Sequence, residues 1–180
     1  MKNLLLILSF LMSINSIAQN KKSLLRDGNK LYIDSNYTEA EIQYRKSLEK
    51  DQDYFNASFN LADAVYKQER FEEASALFDA LKDNAPTDDD LAKVYHNLGN
   101  CLVKEQKLEE AIDAYKNALR INPNDDDTRY NLAFSTKQQK QQQDNKEQQD
   151  NKEQQDNKEQ QDNKEQQDNK EQQDNKEQQD

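Results

Sequence analysis

Tryptophan is absent from this 180-residue chain, cysteine and histidine occur once each, and glycine and proline twice each. A lone thiol, Cys101, excludes an intramolecular disulfide and with it a disulfide-stapled fold. Two glycines leave no Gly-rich phosphate loop, and one histidine with one cysteine leaves neither a nucleophilic triad nor a metal-ligand cluster. Catalysis is not expected, nor is any cofactor or metal. His96 and Cys101 stand five residues apart; a helical turn takes about 3.6 residues, so on one helix they lie on different sides. Cys101 therefore reads as a packing residue, since an unpaired thiol persists in an oxidising compartment when it is buried.

Apolar residues are missing altogether after Phe134. About 59 of them, 33% of the chain, sit in the first 134 positions, and the final 46 cannot build a core. That distribution excludes one large domain and a multi-span membrane protein. Cationic excess is missing too. A net charge of -11 and a pI near 4.7 repel a phosphate backbone and argue against nucleic-acid binding. From Gln142 onward, seven Asp, six Glu and six Lys carry −7 of that charge, which leaves about −4 on the preceding 141 residues. The acidity belongs to an appendage and says little about the partner of the folded part.

The N-terminus reads as an export signal. Lys2 gives a basic start, Leu4 to Met12 form an apolar run broken only by Ser9, and Ser16-Ile17-Ala18 supplies the small residues signal peptidase reads. Cleavage is expected after Ala18, which makes 1–18 a signal peptide and the mature protein periplasmic. The run is short for a spanning helix of about 20 residues, so an uncleaved anchor or a buried helix are the lesser readings. No cysteine adjoins the site for lipid attachment.

What the middle of the chain has is a repeat. Ala40, Ala74 and Ala111 are each followed four residues later by an aromatic, Tyr44, Phe78 and Tyr115, and twelve residues later by Gln52, Pro86 and Pro123. Asp27-Gly28, Leu61-Ala62 and Leu98-Gly99 precede them at matching intervals. The spacing is 34 residues and then 37, with the extra three placed around Thr87 to Asp90. This pattern resembles the tetratricopeptide repeat. The third copy matches best, with Tyr95, Leu98, Gly99, Leu102, Ala111, Tyr115 and Pro123; the second has Ser58 in place of an aromatic, and the first has Asp27 and Gln52 in place of Leu and Pro. The resemblance predicts repeats at 21–54, 55–88 and 92–125.

Physical reasoning leads to the same architecture. Each unit reads as a helical hairpin in which small residues let two helices approach, Gly28, Ala62 and Gly99 against Ala40, Ala74 and Ala111, while the aromatics fill the gap toward the next unit. One hairpin cannot cover its own apolar face, so units stack. Pro86 and Pro123 are expected to stop the second helices, and the Asp runs 88–90 and 125–127 to favour the next helix starts rather than hold calcium, since no calcium-loop pattern follows. A capping helix at 126–140 is expected to bury Tyr130, Leu132, Ala133 and Phe134 behind a polar outer face. The fold class is all-α, an α-solenoid of three hairpins plus this capping helix.

From Gln142 the unit Gln-Gln-Asp-Asn-Lys-Glu recurs six times and begins a seventh. A six-residue period carries no apolar stripe around a helix, so 141–180 reads as a largely disordered spacer that prolongs the capping helix by at most a turn or two. Because it stops in mid-unit, the natural chain is expected to run further.

In the family it resembles, the first helix of each hairpin lines a concave groove that holds a peptide or partner helix. Carried onto this chain, those positions are Leu25, Asn29 and Tyr32, then Asn56, Phe59, Asp63 and Tyr66, then Lys93, His96, Asn100 and Val103. Aromatics beside Asn amides fit capture of an extended segment. One subset of the family grips the C-terminal carboxylate of cytosolic chaperones. Asn29, Asn60 and Lys93 match its clamp, but Leu25 stands where a Lys is required and Asn97 where an Arg is required, which sets that role aside.

The order of features, an export signal, three repeats, Arg129 to Ala133 as Arg-Tyr-Asn-Leu-Ala and a Gln/Lys/Asp-rich tail, is similar to the repeat proteins of the Bat (Bacteroides aerotolerance) operons. That resemblance implies a periplasmic scaffold whose partners are membrane-anchored von Willebrand A-domain proteins. The second reading is an envelope-maintenance factor in cell-wall or outer-membrane assembly.

Overall fold

The computed structural model describes residues 21–149; the export segment and the tail beyond 149 lie outside them. Two compact units divide the chain, one ending at Thr136 and one starting at Lys137. In the first unit the described helices are α1 (21–33), α2 (Tyr37–Lys50), α3 (Phe55–Lys67), α4 (Phe71–Leu81), α5 (Asp88–Lys104), α6 (Leu108–Ile121) and α7 (126–136). No strand occurs among the described residues. Of the second unit, residues 137–149 are helical. Gln, Lys and Glu, which dominate 141–149, are good helix formers.

Helix α6 shows why these segments coil and pack. It buries Leu108, Ala111, Ile112, Ala114, Tyr115 and Ala118, a stripe at three- and four-residue spacing, with Glu109 and Glu110 in its first turn and Arg120 in its last. The start of α5 is held by Thr87, whose Oγ1 accepts from the Asp90 amide at 3.1 Å and donates to the Asp90 carboxylate at 2.8 Å. Asp125 does the same for α7, accepting from the Thr128 amide at 3.0 Å. The three extra residues of the third copy lengthen a helix: α5 begins at Asp88, a turn before the position equivalent to the α3 start. Pro86 does not stop α4, which ends at Leu81 and gives way to a short 3-10 turn at Lys82–Asn84.

Each hairpin turns in the same way. Ser35, Glu69 and Gln106 adopt left-handed φ of 61°, 61° and 62°. The amide after each returns five residues, Asn36 to Leu31 O, Arg70 to Val65 O and Lys107 to Leu102 O. This is the Schellman ending, here built without the glycine that usually marks it in a sequence.

The core runs through all three hairpins. Ala40, Ala62, Ala74, Ala111, Tyr44, Phe78 and Tyr115 are all buried, as are Leu61 and Leu98. Cys101 joins this cluster, and burial pushes its thiol up to about 12. The small residues act differently from expectation. A Cβ on Gly28 would lie 2.5 Å from Tyr44 Cε1, and one on Gly99 would lie 2.5 Å from Tyr115 Cε1. Each glycine thus makes room for the aromatic ring of its own hairpin; the ring, not the alanine, fills the space.

The first two hairpins are also joined by a charged cluster. Glu41 is 8% exposed and accepts from Gln68 Nε2 at 2.8 Å, Arg70 Nη1 at 2.6 Å and Arg45 Nε at 2.8 Å. Burial disfavours its charge, yet these donors outweigh burial and hold its pKa below the ordinary value.

Candidate protein-binding groove

The helices α1, α3, α5 and α7 share one face, stitched by a repeated amide and phenol network. Asn29 Oδ1 accepts from Tyr44 OH at 3.0 Å and from Asn60 Nδ2 at 2.7 Å. Asn100 Oδ1 accepts from Tyr115 OH at 2.8 Å and from Asn131 Nδ2 at 3.0 Å. In both places an asparagine on the first helix links the ring of its own hairpin to the first helix that follows, so α7 docks as if it opened a fourth repeat. The second hairpin breaks the rule, having Asp63 where the others have Asn and Phe78 where they have Tyr.

Two cavities open on this face. One, about 230 Å³, is lined by Asn29, Tyr32, Ile33, Tyr44, Asn60 and Asp63. The other, about 450 Å³, lies among α3, α5, α6 and α7, with Asp63, Tyr66, Asn100, Val103, Tyr130 and Phe134 in its lining. Asp63 belongs to both. A larger hollow of about 730 Å³ lies among α4, α5 and α6, where charged side chains such as Glu72, Asp79, Lys82 and Glu110 dominate.

Of the residues expected in the groove, Asn29, Tyr32, Asp63, Tyr66, Asn100 and Val103 line these cavities. Burial, followed by a hydrogen bond to the Asp63 carboxylate, raises the pKa of Tyr32. Asn56 is exposed, and Lys93 is exposed and paired with Asp89 at 2.5 Å. Leu25 and Phe59 pack against the core, the Phe59 ring meeting Phe78 edge-on at 5.4 Å. His96 docks α7: its Nδ1 lies 2.6 Å from Thr128 Oγ1, which donates to Asp125 at 2.6 Å. The hydroxyl hydrogen goes to Asp125, so Nδ1 carries the hydrogen of the His96 contact.

Burial lowers the His96 pKa, against the opposing pull of Asp125 and Asp127. The unfolded chain therefore binds a proton more readily than the native one. This contribution to stability is complete above the unfolded value of about 6.5 and is lost as pH falls through the lower native value. We expect the melting temperature to drop between about pH 7.5 and 5.5 and to drop less in His96→Asn, whose amide can still reach Thr128. Identical pH profiles in thermal melts of the two proteins would contradict this.

The capping helix docks by a different face from the expected one. Thr128 and Ser135 are both 0% exposed, whereas Tyr130 is 70% and Phe134 49% exposed. Residues 128, 132 and 135 form the inward stripe, small and polar ones filling the tight contact. Tyr130 and Phe134, one turn apart, stack with centroids 6.5 Å apart on the groove side. With Ile33, 80% exposed at the other end, they are groove residues that sequence reasoning missed. Tyr130 and Phe134 are expected to be buried under the closing helix, as is Ala133, and all three are exposed.

The stack of helical hairpins, with cavities on the face of their first helices, is an α-solenoid. Residues 31–98 and 92–125 match the tetratricopeptide repeat, just over half of the chain together, and the chain belongs to that family. Among solved structures, it is similar to the first tetratricopeptide domain of Spaghetti (RPAP3) bound to the HSP90 peptide SRMEEVD, at 25% identity and TM-score 0.62, over 66% of this chain and 92% of that one. MamA from Desulfovibrio magneticus RS-1 shares the fold at 23% identity and TM-score 0.62, over 67% of each chain. The Sgt2 domain from Aspergillus fumigatus shares it at 17% identity and TM-score 0.61, over 67% of this chain and 79% of that one. No curated protein matches. The protein is a tetratricopeptide-repeat scaffold, of a fold that typically mediates protein–protein interaction without catalysis.

Proposed function

We propose that this protein is a non-catalytic periplasmic scaffold that holds an extended segment of partner proteins in the groove of α1, α3, α5 and α7. The observation that carries this reading is the exposed aromatic pair Tyr130 and Phe134 beside the larger cavity. Exposed aromatics at a concave surface are the usual anchors of an interface, and they need not be exposed to cap the stack. The peptide held by the RPAP3 domain supports the same mode of binding. The export-like segment at 1–18 supports the periplasm, and the order of signal, repeats and Gln-rich tail supports a Bat-type complex with von Willebrand A-domain membrane proteins.

Envelope capture with the tagged full chain tests this. A-domain membrane proteins are expected on the wild-type protein and are expected to fall more than about ten-fold on Tyr130→Ser/Phe134→Ser, because aromatic anchors of this kind carry about 2 kcal/mol or more each. Recovery of cell-wall or outer-membrane assembly machinery instead would overturn the Bat placement in favour of an envelope-maintenance role.

A further inference from the structure

The smaller cavity carries charge of one sign. Asp63 is the ionisable carboxylate in a lining otherwise made of Asn29, Tyr32, Ile33, Tyr44 and Asn60. None of the ion pairs among the described residues includes it. The larger cavity differs, since Lys67 and Lys104 share its lining with Asp63. The cause lies in the second hairpin's departure from its neighbours. In the first and third hairpins a tyrosine hydroxyl and a neighbouring amide saturate the oxygen at this position. Phe78 has no hydroxyl to offer Asp63, and the Tyr32 phenol lines the same cavity from the preceding hairpin. One phenol can fill only one of a carboxylate's roughly four acceptor sites. The half-buried Tyr32 ring beside it is a surface on which an alkyl stem and its cationic head both pack well.

We propose that this cavity receives a lysine or arginine side chain from the extended segment of the partner protein, with Asp63 as its counter-charge. The groove then selects a basic segment and discriminates against a terminal carboxylate, for which Leu25 offers no cation. This inference rests on the groove reading above. It commits the partner to one chemistry: a positive side chain at a fixed register, lying over α1 and α3 while flanking apolar residues reach Tyr130 and Phe134.

A library of seven-residue peptides, acetylated and amidated so that no terminal charge remains, separates the two ideas when panned on the full-length protein. Wild type is expected to enrich Lys or Arg at one position. Asp63→Asn is expected to bind those peptides about ten- to a hundred-fold more weakly, the range of a charge-assisted hydrogen bond, and to bind their Lys→Gln versions as wild type does. Circular dichroism checks that the variant folds; should it not, Ile33→Lys at the exposed rim supplies a competing cation and is expected to weaken the same peptides. Enrichment of uncharged or acidic peptides that Tyr130→Ser/Phe134→Ser abolishes and Asp63→Asn does not would overturn the cation site and leave the groove standing. Failure to enrich any peptide sensitive to Tyr130→Ser/Phe134→Ser would overturn both.

Discussion

Replacing Phe78 by alanine is expected to lower the free energy of unfolding by about 3–5 kcal/mol. Phe78 is 1% exposed and sits in the second of the three hairpins, so the cavity left behind has little freedom to close. Its ring meets Phe59 edge-on at 5.4 Å, and both belong to or pack on the cluster that runs through the repeats. Domains of this size are stable by only about 5–15 kcal/mol. Stacked hairpins also depend on their neighbours, so a central loss uncouples the first from the third. Urea unfolding followed by far-ultraviolet circular dichroism measures the effect. A loss under about 1 kcal/mol would mean that the hairpins do not pack through this ring.

Gly99→Ala is expected to destabilise by about 1–3 kcal/mol, although alanine alone favours a helix by about 1 kcal/mol over glycine. The added Cβ would stand 2.5 Å from Cε1 and 2.7 Å from Cδ1 of Tyr115. That ring cannot step aside, because its hydroxyl is tied to Asn100 at 2.8 Å. The second hairpin shows the way out, pairing Ala62 with Phe78, which has no hydroxyl and no tether. Tyr115→Phe should therefore cost about 1 kcal/mol alone and yet recover part of the Gly99→Ala loss, so the double variant is more stable than the sum of the singles. Strict additivity in the same unfolding experiment would contradict the tethered-ring explanation.

Much of this fold was legible because its spacing is carried by residue size. Ala40, Ala74 and Ala111 with Tyr44, Phe78 and Tyr115 four residues on have no other economical reading than stacked hairpins. The glycines were legible as small, but not the identity of the group they face, which depends on the rotamer of a ring one helix away. The turns were hidden for a chemical reason: Ser35, Glu69 and Gln106 adopt the left-handed conformation without being glycine. Lining the cavities is a matter of helix position, and the sequence pattern carries only part of it. Asn29, Tyr32, Asp63, Tyr66 and Asn100 follow from their place on the first helices, whereas Phe59 and His96 stand on the same stretch and turn inward to Phe78 and Thr128. The facing of α7 was misread because hydrophobicity was taken as a guide to burial. The inward stripe holds Thr128 and Ser135, buried by close packing and hydrogen bonding, and the aromatics are left outside.

The central claim is that partners enter the face shared by α3, α5 and α7. A photo-crosslinking amino acid placed at Tyr130, at Tyr66 or at Lys116 on α6, in the full chain inside its native cell, tests it most directly. Adducts with one and the same partner are expected from positions 130 and 66 and not from 116. Adducts from 116 alone, with positions 130 and 66 silent, would contradict the account.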